Sequence, residues 1–172
     1  MNTLLTVSLA VRLIVLGALL WLAIVDIRSR RLPTQMVLFI GGLFFVDALV
    51  IHLSIDQIIT HLLVALAVFL ACAALFAIRM LGGGDAKLAS VIFLWVGLPL
   101  SLPALSLISI IGLVVSLLSL ATRNLNPDQR ILPLRALAMF SGARGVPYGV
   151  ALALGGGAVI VLPPLMHLTL TR

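Results

Sequence analysis

"LLVALAVFLACAALFAIRMLGGGDAKLASVIFLWV", residues 62–96, sets two apolar runs on either side of one short break. The first belongs to an apolar segment over 57–78, which is long enough to cross a bilayer at about 20 residues per span. Similar segments fall at 3–26, 35–53, 87–100, 103–121 and 146–168. Hydrophobic residues make up 63% of the 172, charged residues only 9%, and the mean hydropathy is +1.32. A soluble domain of this size needs far more polar surface. The expected fold is all-α: one polytopic membrane domain over 1–172, a bundle of about six transmembrane helices. The first segment lacks a basic start and outruns a signal-peptide core, so it reads as a retained helix. The fourth is short for a span, and Pro99 and Pro103 predict a tight turn into the fifth.

Charge sets the expected orientation. Arg28, Arg30 and Arg31 follow the first segment, and Arg79 and Lys87 flank the break after the third. Arg123, Arg130, Arg135 and Arg144 lie between the fifth and sixth. The alternate loops, "HLSID" and "GLPLSLP", carry no Lys or Arg. By the positive-inside rule the basic loops face the cytoplasm and both termini lie outside it. The pI near 11.4 raises nucleic acid as a partner, but no basic face carries interleaved aromatics, so none is expected. Anionic membrane lipid is the expected partner of these cations. Within the inner loop 122–145, "NPDQRILPLRALAMFSGARG" reads either as a short amphipathic surface helix or as a basic topology anchor.

All five acidic residues are Asp. Two of them fall at the inner boundary: Asp26 in "LAIVDIRSRRLPT" and Asp85 in "GGGDAKLA". Taken singly, Asp85 reads as the N-cap of the fourth helix and Asp26 as an interfacial acid paired with a nearby arginine. Taken together, they have the makings of an acid–base pair. Two close carboxylates share a proton, one activating water and the other protonating the substrate. Gly82, Gly83 and Gly84 read either as a flexible turn or as a device that aims Asp85 and admits an extended peptide.

At this point the chain resembles the type IV prepilin peptidases. "GGGDAKL" (82–88) resembles their Gly-x-Gly-Asp motif, "DIRSRRLP" (26–33) their first motif and "GVPYGVAL" (145–152) their third, in the family's order. The resemblance implies that Asp26 and Asp85 are catalytic. It also implies removal of a short basic leader from prepilins or pseudopilins at the inner face of the cytoplasmic membrane. Larger members carry a cysteine-bearing cytoplasmic domain. This chain resembles the minimal, peptidase-only form that serves Flp-type pili of the tight-adherence system. Thr34 stands where many members have Asn, which leaves a capping role for the second helix. Pro147, Tyr148 and Gly149 are expected to line the substrate groove, and Lys87 either orients substrate or is an inner-leaflet cation.

Other residues carry less. Cys72, the only cysteine, permits no internal disulfide and is read as packing. His52, His61 and His167 map near the outer face without metal-ligand spacing, so neither metal nor cofactor is expected. "LGGGAV" (154–159) reads as close helix packing. Two rival functions are a small proton-coupled transporter or channel and a non-catalytic scaffold for a secretion or pilus machine. A transporter expects acids at mid-membrane in repeated halves, a pattern not found here. The oligomeric state is not legible. One charge lies inside an apolar run: Arg12, fourteen residues before Asp26 and so about 21 Å along the helix. Asp47 lies fourteen residues past Pro33, at a similar depth on the returning helix, and the two are expected to form a buried structural ion pair.

Overall fold

The computed structural model describes residues 2–29, 32–121 and 148–170, with the side chains of the last helix through Pro163. The inner loop 122–145 and Pro147 lie outside the described residues, as do Arg30, Arg31 and the His167 side chain. Six α-helices are described: α1 (Asn2–Ser29), α2 (Thr34–Val50), α3 (Ile55–Ala77), α4 (Gly83–Val96), α5 (Ser101–Ala121) and α6 (Tyr148–Leu170). Among the described residues there is no strand.

Three helices are long and apolar enough to cross a bilayer: Thr3–Ser29, Ile55–Ala77 and Ser101–Ala121. α2 and the stretch Tyr148–Pro163 are apolar but shorter, and α4 has fourteen residues. The expectation of about six spans therefore becomes three that meet that length and composition beside three shorter helices. Large apolar side chains such as Ile59, Leu63, Leu70 and Leu113 are exposed all along α3 and α5. In water such surface would drive aggregation; in a bilayer it meets lipid. The chain is a membrane protein.

Helix ends explain the turns. α3 begins with a reciprocal capping box: Ser54 Oγ accepts from the Gln57 amide at 3.3 Å, and the Ser54 amide donates to Gln57 Oε1 at 2.9 Å. α2 and α3 both end with a left-handed residue that is not glycine, His52 (φ 54°) and Arg79 (φ 60°). The Leu53 and Met80 amides then reach back to Ala48 O and Leu75 O, each at 2.9 Å, closing the Schellman pattern. Arg79 therefore makes the reversal, and Gly82 to Gly84 are free to start α4. Gly97, at φ 64°, ends α4, and Ser101 Oγ donates to its carbonyl at 2.6 Å. Pro103 then sits in the first turn of α5, where no backbone donor is needed.

α4 and α6 organise the bundle. α4 packs against α2, α3 and α6, while α6 packs against α1, α4 and α5. Three successive glycines make that second set possible. A Cβ at Gly155 would fall 2.9 Å from the backbone of Ile108, one at Gly156 2.5 Å from Ile92, and one at Gly157 2.8 Å from Leu16. Each faces a different helix, which is the close packing expected of "LGGGAV". On α1 a buried stripe runs Ser8, Val15, Leu19, Leu22, Asp26, with half-buried Arg12 in the same row. The heptad-like spacing turns both charges toward the bundle.

Candidate active site

Asp26 lies in the last turn of α1 and is 5% exposed. α1 continues to Ser29, three residues past this carboxylate. Asp85 is the third residue of α4, whose N-cap is Gly82. The N-cap role considered for Asp85 is thus corrected: α4 starts four residues before the expected boundary, and the carboxylate occupies the first turn. It folds back over the cap, so that a Cβ on Gly82 would lie 2.8 Å from Asp85 Oδ2.

The glycines act through space rather than through unusual backbone angles. Gly82 has an ordinary φ of −74°, and neither Gly83 nor Gly84 adopts positive φ. A Cβ at Gly83 would meet the Phe76 ring at 3.3 Å, and one at Gly84 would meet Leu32 Cβ at 3.1 Å. The second contact matters for the pair. Leu32 follows α1 by three residues, so the chain leaving Asp26 packs on the residue before Asp85. Both carboxylates therefore lie at one end of the bundle.

α1 and α4 are not extensively packed on each other; α6 joins them. Its second residue, Gly149, is buried against Asp26: a Cβ there would fall 2.8 Å from Oδ2 and 2.9 Å from Cγ. Its first residue, Tyr148, is half-buried within electrostatic range of Asp85. The first turn of α6 thus touches one aspartate with a missing side chain and addresses the other with a phenol. Cys72 on α3 is half-buried and also within electrostatic range of Asp85. Cys72 packs against the apolar core, as the sequence suggests; helix period alone does not say that this face of α3 also lies within electrostatic range of Asp85.

Lys87 points elsewhere. Two residues past Asp85 is about 200° around a helix, and the Lys87 ammonium donates to Thr34 Oγ1 at 3.2 Å. Thr34 in turn makes no side-chain cap; Pro33 occupies the N-cap of α2, and the Thr34 hydroxyl meets Lys87 instead. His61 is half-buried, its Nδ1 2.7 Å from Leu94 O and its ring against Phe44. Among the described residues no three His, Cys, Asp or Glu side chains gather where a metal would sit.

Chemically, the arrangement offers two carboxylates at one end of the bundle, a phenol within electrostatic range of one of them and side-chain-free backbone against the other. No curated protein and no solved structure matches the chain. A family model described as the type IV leader peptidase family matches residues 13–117, a stretch that includes Asp26, Gly82 to Gly84 and Asp85 and ends before Tyr148. Over most of its length, then, this chain belongs to the type IV leader peptidase family, and it is a membrane peptidase.

Proposed function

We propose that the protein is an aspartic endopeptidase that removes the short basic leader of Flp-type prepilins or pseudopilins at the cytoplasmic face of the inner membrane. Asp26 and Asp85 are the acid–base pair. One carboxylate takes a proton from water as the water oxygen attacks the scissile carbonyl, while the other protonates the carbonyl oxygen. Collapse of the tetrahedral species breaks the C–N bond: the proton just gained by the base passes to the leaving amine, and a hydroxyl proton of the tetrahedral carbon returns to the other carboxylate, which restores the pair. Atoms balance with water as the only co-reactant. The burial of Asp26 at the same end of the bundle as Asp85 supports this reading.

The observation that carries the reading is the first turn of α6, which lies against Asp26 and within range of Asp85. The cytoplasmic placement rests on the basic residues at the same end, Arg28 and Arg79 among them. Co-expression with a candidate prepilin tests the mechanism. Leader removal is expected in the wild type and is expected to vanish in both Asp26→Asn and Asp85→Asn. Undiminished processing by either variant would sink the two-aspartate mechanism.

A further inference from the structure

Lys87 is the only lysine in the chain, and it lies on the face of α4 opposite Asp85. It is exposed, it donates to Thr34 Oγ1 at 3.2 Å, and among the described residues it forms no ion pair. A groove opens on each side of it. One, of about 320 Å³, runs between α3 and α4 past Phe69, Ala73, Phe76 and Ala86. The other, of about 290 Å³, runs between α2, α3 and α4 past Val37, Leu38, Phe69 and Val91. Both include Phe69 and Lys87, so the two grooves form a fork with the cation where they meet.

We propose that this fork binds one anionic phospholipid, its phosphate on the Lys87 ammonium and the Thr34 hydroxyl and one acyl chain in each groove. Charge complementarity selects the head group: a lone ammonium with a neighbouring hydroxyl donor favours a phosphate diester whose head group carries no compensating cation. The apolar walls select the tails, which a free phosphate lacks. Two grooves meeting at one cation match a lipid with two chains. The cation at the fork faces away from Asp85, while one groove runs past Gly83 and Ala86 at the start of α4.

Such a lipid has a structural consequence. Only 6% of the apolar window of α3 is buried, and its main interface is with α4. Chains lodged beside Phe69 and Phe76 would fasten α3 to α4 and α2, next to the turn that carries Gly82 to Asp85.

The experiment uses the full chain purified in neutral detergent and titrated with phosphatidylglycerol or phosphatidylcholine of identical tails. Bound lipid is counted by native mass spectrometry, and thermal unfolding is followed in parallel. One phosphatidylglycerol is expected per chain, bound about fivefold more tightly than phosphatidylcholine, as one lysine at an anionic surface provides. Lys87→Gln is expected to abolish the preference and Lys87→Arg to keep it. Ala73→Leu, which narrows one groove but leaves the cation, is expected to weaken both lipids. Should Lys87→Gln not fold, the wild-type comparison and Ala73→Leu still decide. Equal binding of the two lipids, a preference retained in Lys87→Gln, or equal thermal protection by glycerol phosphate without tails would overturn the proposal. So would displacement of the lipid by the apolar segment of a prepilin, which would assign the fork to the substrate.

Discussion

Arg12 on α1 and Asp47 on α2 form an ion pair across the bundle, with Nη2 2.9 Å and Nε 3.1 Å from the same carboxylate oxygen, Oδ2. The guanidinium is shared: Nη1 donates to Ile160 O on α6 at 3.1 Å, and Cζ sits 5.9 Å from the centre of the Trp95 ring on α4. Trp95 is fixed in turn by its indole donating to Ile40 O at 2.9 Å. One arginine therefore ties α1, α2, α4 and α6 together, about 21 Å of helix away from Asp26. Asp47 is 2% exposed, and its other oxygen, Oδ1, is buried without a hydrogen bond among the described residues. The pair is thus sensitive to loss of either member.

Removing one partner leaves a charge buried in an apolar bundle, at a cost of about 3–5 kcal/mol. Arg12→Met and Asp47→Leu are each expected to lower the unfolding temperature in detergent sharply. The double variant is expected to lose less than the sum of the two, because no orphaned charge remains. Additive or greater loss would mean that the two act independently.

Gly149→Ala tests the contact that sets Asp26. The new methyl must displace Asp26 Oδ2 and Cγ, which lie 2.8 and 2.9 Å from its position. A misplacement of about 1 Å costs on the order of 100-fold in rate, so leader cleavage is expected to fall by about that factor while the protein stays folded. Gly17→Ala, with nothing within 4 Å of its Cβ, serves as control and is expected to cleave normally. Cleavage assays beside circular dichroism separate the two outcomes.

Cys72 is expected to be dispensable as a side chain yet harmful when enlarged. Cys72→Ser should process prepilin at the wild-type rate, since the proposed chemistry uses no thiol. A bulky maleimide on the wild-type thiol should block cleavage, because Cys72 is half-buried within electrostatic range of Asp85 and Tyr148. The Cys72→Ser protein should be resistant to the same reagent. Inhibition of both proteins alike would place the reagent's effect elsewhere.

Gly97→Ala separates stability from activity. Its φ of 64° disfavours a side chain, and a Cβ would fall 2.5 Å from the His61 ring. Strain of this kind costs about 1–3 kcal/mol. The unfolding temperature is expected to drop, whereas the cleavage rate of the folded fraction should hold, because this turn is at the end of α4 remote from Asp85. A loss of rate at full folding would show that the two ends of α4 are coupled.

Composition and periodicity determined the class of this protein: oily segments recurring at membrane length permit little other than helices in a bilayer. Helical arithmetic was also enough to pair Arg12 with Asp47, since two helices joined by a short turn must bring equal depths together. It was enough to put Asp26 and Asp85 at one end of the bundle, because alternate helix ends share a side.

What depends on rotation about the helix axes was decided only by tertiary packing. α2 and α6 are oily all round, so no moment in the sequence says which of their residues meets which neighbour. That is why the sequence did not name Thr34 as the partner of Lys87. It is also why Gly149, far from Asp26 along the chain, is the residue whose missing side chain leaves that carboxylate its place.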